Sequence, residues 1–185
     1  MRTSLHMAVY KNLIGIVLLL LKNGANPDSK MLHGATPLYV AIEYGKIEAA
    51  KLLVKHGANI NAQDDQGNSL LGVAARQKNN EGLRLLIANH ALSELKNQNG
   101  VTPLQHAISY NMKENVDLLI KNGADINAKD IDNHTCLHVS FQLGFHDISL
   151  LLLHAGASMF AKNHNEIIPL EHGLVFNKLD SFKVE

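Results

Sequence analysis

The chain has 185 residues, 46% of them hydrophobic, with aromatics at 5% and no tryptophan, so it can bury a sizeable core built from Leu, Ile, Val and Ala. Seventeen basic against seventeen acidic residues leave no net field to draw nucleic acid or an anionic membrane, which sets nucleic-acid binding aside. The single cysteine, Cys136, excludes an internal disulfide and suits a reducing compartment, so a cytoplasmic setting is expected.

Residues 1–33 open on Thr3-Ser4-Leu5-His6, followed by Ala8; a threonine hydroxyl can cap a first helical turn, which predicts a short helix there. The apolar run Leu13 to Leu21 after Arg2 resembles a signal-peptide core. It also lies in register with Leu52-Leu53-Val54, Leu85-Leu86-Ile87, Leu118-Leu119-Ile120 and Leu151-Leu152-Leu153, so one second helix per unit explains all five segments. The run falls well short of the ~20 residues that span a bilayer, and no membrane insertion is expected.

In residues 34–66, Thr36-Pro37 starts a helix with proline at the position whose N–H is unused. Leu38, Ala41 and Ile42 form its apolar face, and Gly45 stops it; Ala49, Leu52 and Leu53 then mark a second helix ending at Gly57-Ala58. Asn59 to Asp65 are rich in turn formers and lead to Gly67 as a polar hairpin. Residues 67–99 diverge. Ser69-Leu70-Leu71-Gly72 lacks both the proline and a His-like fourth residue, His90 replaces the glycine that ends the second helix, and Lys78 falls where other units have Gly45, Gly144, Asn12, Asn111 and Asn177. A left-handed non-glycine residue costs about 1–2 kcal/mol, so two such sites and a weaker cap are expected to make this unit the softest of the stack outside its two end units. Residues 100–132 and 133–165 return to the pattern at Thr102 and Thr135. Residues 166–185 read as an incomplete terminal unit, with Ile168 where a sixth threonine would stand and Ser181-Phe182-Lys183-Val184 beginning a second helix.

The interval is 33 residues throughout, from Thr3 through Thr36, Ser69 and Thr102 to Thr135, and Gly24, Gly57, His90, Gly123 and Gly156 keep the same period 21 residues later. A fixed period of this size marks stacked units, none of which can bury its own apolar face. The segments TSLHMA, TPLYVA, TPLQHA and TCLHVS, with NGANP, HGANINAQD, NGADINAKD and AGASMFAKN, resemble the TPLHxA opening and GADVNAxD close of the ankyrin repeat, from Thr3 to about Asn177. The resemblance implies an all-α solenoid of helix-turn-helix units joined by β-hairpin-like loops, forming one array over 1–185. It implies that His6 and His138 tie their helix starts to an adjacent loop. Asn61 and Asn127, each eight residues after Leu53 or Leu119, resemble the pattern read by an asparaginyl hydroxylase in animal ankyrin repeats; structurally they are turn formers.

No catalytic set is present: there is no glycine-rich phosphate loop, Gly-x-Ser-x-Gly or His-Glu-x-x-His, and no cofactor is expected. His134, Cys136 and His138 form H-x-C-x-H, but alternate residues on a turn entering a helix diverge, whereas a structural zinc needs four converging ligands, so no metal is expected. Asp64-Asp65 and Asp130 with Asp132 sit on polar hairpins, where solvation keeps carboxylates ordinary.

In the family, partners lie across the concave face made by the hairpin tips and the outward side of each first helix. The corresponding first-helix column here is Tyr10-Lys11, Glu43-Tyr44, Arg76-Gln77, Ser109-Tyr110 and Gln142-Leu143, and the tips contribute His33, Asp65-Gln66, Gln98-Asn99 and Asp132, together with Leu32 and Ile131. Three of the four tyrosines fall in that column, and Tyr and Arg are favoured interface anchors. A line of Lys30, Lys96, Lys129 and Lys162, broken by Gln63, could steer an acidic peptide or could be a solvated face. The expected function is non-catalytic binding of a protein or peptide. The alternatives are a regulatory or targeting segment of a larger protein, such as an enzyme or channel, and a stand-alone inhibitor or effector mimicking a host ankyrin protein. The apolar first and last units have two readings: a piece of a longer array, which is favoured, or ends covered by a partner or by a second copy in end-to-end association.

Overall fold

The structure, a computed structural model, describes residues 2–176. Five helix pairs follow one another: α1 (Ser4–Tyr10) with α2 (Ile14–Lys22), α3 (Pro37–Glu43) with α4 (Ile47–Lys55), α5 (Leu70–Ala75) with α6 (Glu81–Ala88), α7 (Pro103–Ser109) with α8 (Lys113–Lys121), and α9 (Cys136–Gln142) with α10 (His146–His154). A further first helix, α11 (Pro169–Phe176), packs on α9. Asn177 and the expected helix start at Ser181 to Val184 lie outside the described residues.

Four first helices, α1, α3, α5 and α7, begin where a capping residue accepts from the backbone three residues on: Thr3 from His6 at 3.4 Å, Thr36 from Tyr39 at 3.2 Å, Ser69 from Gly72 at 3.1 Å and Thr102 from Gln105 at 3.3 Å. The small fifth residue of the pattern then lets first helices stack closely, with Ala8, Ala41, Ala74, Ala107 and Ser140 all buried. First helices contact one another more extensively than second helices do, so the stack curves with the first helices and hairpins on its inner side. The core is one aliphatic column running through Leu5, Leu38, Leu71, Leu104 and Leu137 and, on the second helices, Leu53, Leu86, Leu119 and Leu152.

The hairpins are not strands. Among the described residues there is only an isolated bridge between Gln63 and Ser69. Turn side chains close them instead: Asp64 Oδ1 accepts from the amides of Gln66 and Asn68, Asn97 Oδ1 from Asn99 and Val101, and Asp130 Oδ1 from Asp132 and His134. Of the paired aspartates, Asp64 and Asp130 do this.

The divergent unit 67–99 needs one correction. Asn12, Gly45, Asn111 and Gly144 take left-handed backbone as expected, and so does His90, at φ 62°, but Lys78 does not. Elsewhere the turn closes through a backbone bond such as Lys46 N–H to the Ala41 carbonyl at 2.7 Å or Met112 N–H to Ala107 at 2.8 Å. In 67–99 the residue equivalent to Lys46 is Asn79, whose side chain instead accepts from the Glu81 amide at 3.0 Å, and α5 stops at Ala75. The chain avoids the left-handed penalty by letting the turn open. One strained site therefore remains, and His90→Gly should raise stability by about 1 kcal/mol, read as a higher urea midpoint with unchanged m-value. A midpoint that stays put or falls would show that His90 is not strained.

Candidate partner-binding face

The first-helix column comes together in three groups. Tyr10 and Tyr44 meet edge to face, with ring centroids 4.9 Å apart, and are 46% and 53% exposed. Next along the stack, Arg76 Nη2 donates to Glu43 Oε2 at 2.7 Å, and the Gln77 side-chain amide donates to the Glu43 carbonyl at 2.9 Å. Both charged groups are partly buried, so Arg76 is a pinned group rather than a free anchor. Burial works against its charge, but the hydrogen bond and charge of Glu43 overcome this and raise its pKa. Tyr110 follows, exposed, while the Ser109 hydroxyl donates back to the Gln105 carbonyl at 2.9 Å. Lys11 and Leu143 are exposed and Gln142 is half-buried.

The tips form a second row. His33, Asp65, Gln66, Gln98, Asn99 and Asp132 are exposed, as are Leu32 and Ile131 beside them. Successive tips are joined by single backbone bonds: Asp65 N–H to the His33 carbonyl at 3.0 Å, Gln98 to Gln66 at 3.0 Å, Ile131 to Asn99 at 3.2 Å and His164 to Asp132 at 3.0 Å. The row is thus one connected edge, reinforced where the Gln98 side-chain amide donates to the Asp65 carbonyl at 2.8 Å.

Two further columns singled out in the sequence, the lysine line and the asparagines Asn61 and Asn127, bond one unit to the next. The lysine line is a ladder in which Lys30 Nζ donates to the Gln63 carbonyl at 3.4 Å, Gln63 Nε2 to Lys96 at 3.1 Å, Lys96 to Lys129 at 2.8 Å and Lys129 to Lys162 at 3.0 Å. Asn61 and Asn127 each accept from the next unit's backbone, at Leu92 and Ser158, both at 2.9 Å. Asp28 and Glu94 in the same column do likewise for Asn59 and Asp125, at 2.8 and 3.1 Å.

Between the two rows lies a partly buried polar seam that the sequence did not disclose. The Tyr39 hydroxyl donates to Asp64 Oδ2 at 3.0 Å; burial, and then the Asp64 charge, push this phenol well above its ordinary range. Asn68 donates to the same Asp64 oxygen at 3.0 Å, Asn97 donates to Asn68 Oδ1 at 3.1 Å, and Asn97 Nδ2 lies 3.4 Å from His106 Nε2. His106 occupies the space above Gly72, its Nδ1 is buried without a hydrogen-bond partner, and burial followed by the charge of Arg76 depresses its pKa. His106 thus fills the space left where unit 67–99 lacks a His-like fourth residue.

His6 Nε2 lies 3.1 Å from the Ala35 carbonyl oxygen and His138 Nε2 lies 3.0 Å from that of Ile167, so both tie their helix start to the following loop. Cys136 is fully buried in the core, and burial drives its thiol far above the reactive range. Among the described residues, no three His, Cys, Asp or Glu side chains converge on a possible ion, and no helix is long and apolar enough to cross a membrane.

The family model described as ankyrin repeats (3 copies) matches residues 5–97 and 71–163. Among solved structures 562 chains match, too many to let the fold name a ligand. One is the crystal structure of the ankyrin repeat domain of Bcl-3, a unique member of the IkappaB protein family; it is 29% identical, with a TM-score of 0.87 over 92% of this chain and 77% of that one. No curated protein sequence matches.

Proposed function

Since the chain belongs to the ankyrin-repeat family, whose repeats are generally protein–protein interaction modules, we propose that it is a non-catalytic binder of a protein or peptide on its inner face. The observation that carries this reading is the tyrosine column: Tyr10, Tyr44 and Tyr110 are about half exposed on consecutive or near-consecutive first helices, beside a charge pair that holds Arg76 in place. Such rings bring large contact area at little entropic cost, with a hydroxyl for polar pairing. The tips, with Leu32 and Ile131 among polar neighbours, form the rim. A cytoplasmic setting fits the buried, unreactive Cys136. Use of the same face within a larger regulatory protein, or in an inhibitor that mimics a host ankyrin protein, would involve the same contacts.

The test needs a purified partner, isolated on the full chain and then titrated calorimetrically against variants. Tyr44→Ala/Tyr110→Ala should weaken binding by about 2–4 kcal/mol, roughly 30- to 1,000-fold. Arg76 is left in place, because removing it would strand the partly buried Glu43 and confound folding with binding. Lys51→Ala/Lys121→Ala, on exposed parts of α4 and α8, should change affinity less than about threefold. Equal losses from both pairs, or none from the tyrosines, would remove the inner-face reading.

A further inference from the structure

The last described helix is held by three imidazoles. His134 on the hairpin before α9, His138 in the first turn of α9 and His172 on α11 bring their ring centroids to 5.7 Å (His134–His138), 4.6 Å (His134–His172) and 5.6 Å (His138–His172). His138 is 0% exposed and His172 4%. The His138 ring bridges two units. Its Nε2 donates to the Ile167 carbonyl at 3.0 Å, while its Nδ1 receives the Thr135 backbone N–H at 3.1 Å and lies 2.9 Å from the Thr135 hydroxyl. A backbone N–H can only donate, and a protonated imidazole has no lone pair to receive it. The Thr135 half of the clasp, which fixes how the ring is aimed at Ile167, therefore requires the neutral ring, whereas Nε2–H can donate in either form.

We propose that this clasp is a pH-operated latch: proton uptake by His138 releases α11 and uncovers the face of α9 on which it packs. Gln105 does the same two jobs in α7 without a titratable group. Its Oε1 accepts from the Thr102 amide at 3.0 Å and its Nε2 donates to the His134 carbonyl at 2.9 Å. His6 makes the same two contacts in α1, to the Thr3 amide and the Ala35 carbonyl, but without a cluster of further histidines; the joint at α11 has little slack, since a Cβ at Gly173 of α11 would sit 2.8 Å from Phe141 Cβ of α9.

The groups facing the cluster act in opposite senses. Burial first, then His172, His134 and Lys129, hold the His138 pKa below its ordinary 6.5, against the Ile167 hydrogen bond. Burial and then His134 lower that of His172, against the His138 backbone hydrogen bond and Asp130. Asp130 Oδ2 lies 3.5 Å from His134 Nδ1, and the His134 ring is the least buried of the three. A base whose pKa is lower in the docked state binds its proton first when undocked. Docking is therefore complete above about pH 6.5 and weakens as pH falls below it, towards the depressed docked-state values.

Amide exchange followed by mass spectrometry on the full chain, expressed as protection factors, tests this between about pH 7.5 and pH 5. Protection across α11 should fall by roughly tenfold relative to α4 in the wild type. His138→Gln, which copies the Gln105 clasp, should keep α11 protected at neutral pH and lose most of its pH dependence. A wild type that does not change relative to α4, or a variant as steep as the wild type, overturns the latch. Should His138→Gln fail to dock α11 at all, an NMR titration of the wild type decides. A His138 midpoint below 6.5 that coincides with the loss of α11 supports the latch, and one at or above 6.5 rejects it.

Discussion

Asn115→Ala is expected to destabilise the array by about 3 kcal/mol, far more than the exchange of a surface asparagine would suggest. Asn115, on the second helix α8, is 2% exposed. Its Nδ2 donates to the Ala75 carbonyl at 2.9 Å and to the Gln77 carbonyl at 2.8 Å, both in the preceding unit. These carbonyls lie where the turn of unit 67–99 opens because Lys78 does not become left-handed. The equivalent residues Ala49, Gly82 and Ile148 serve first-helix ends that close by backbone bonds, from Lys46 to Ala41, Asn12 to Val9 or Leu13 to Ala8, and Met112 to Ala107. An unpaired buried acceptor costs about 1–3 kcal/mol, and Gln77, being only partly buried, can recover water, so the sum stays near the middle of the range. Urea unfolding of the two proteins measures it. A loss under about 1 kcal/mol would mean that the open turn does not depend on this side chain. Asn115→Leu, which keeps the volume, should be no less damaging, because the carbonyls would remain unpaired.

This bond shows where the sequence stops being readable. Period, caps and left-handed turn residues are local or fall at a fixed interval, so Thr36, Gly45 and Gly57 announce their roles by residue type and spacing. Asn115 reaches back 38 and 40 residues, off the 33-residue period, to repair a turn that is itself irregular. His106 is similar, since it fills the space over Gly72 from the next unit's helix and carries no motif of its own. The lysine line was legible as a column, but residue type alone could not show that Lys96 and Lys129 are bonded to the next unit's carbonyls. In the candidate face, the tyrosines were legible because their column position fixes their exposure. The Glu43–Arg76 pair was not, because two residues one period apart can equally splay or meet. Tyr39 stands at the His-like fourth place, but its hydroxyl goes to Asp64 on its own hairpin, where His6 and His138 reach into the next unit.

Leu104→Ala should cost about 3 kcal/mol, whereas Leu170→Ala should stay under about 0.5 kcal/mol, although both leucines hold the same place after the capping position. Leu104 on α7 is 1% exposed and lies between α5 and α9, which both pack on its helix, while Leu170 on α11 is 50% exposed. Truncating Leu104 removes its transfer free energy and leaves a cavity that flanking units cannot fill, because each is held in register by the lysine ladder and the tip-to-tip backbone bonds. In a nearest-neighbour array the loss falls on one unit and its two interfaces, so amides of α5, α7 and α9 should lose protection together while α3 and α4 keep theirs. Urea denaturation gives the two magnitudes, and amide exchange gives the spatial pattern. Equal losses at the two leucines would contradict a core built by stacking, since their difference in burial is the only physical ground for separating them. Uniform loss of protection along the chain would contradict the nearest-neighbour account instead, leaving a single cooperative core in which every unit reports the weakest one.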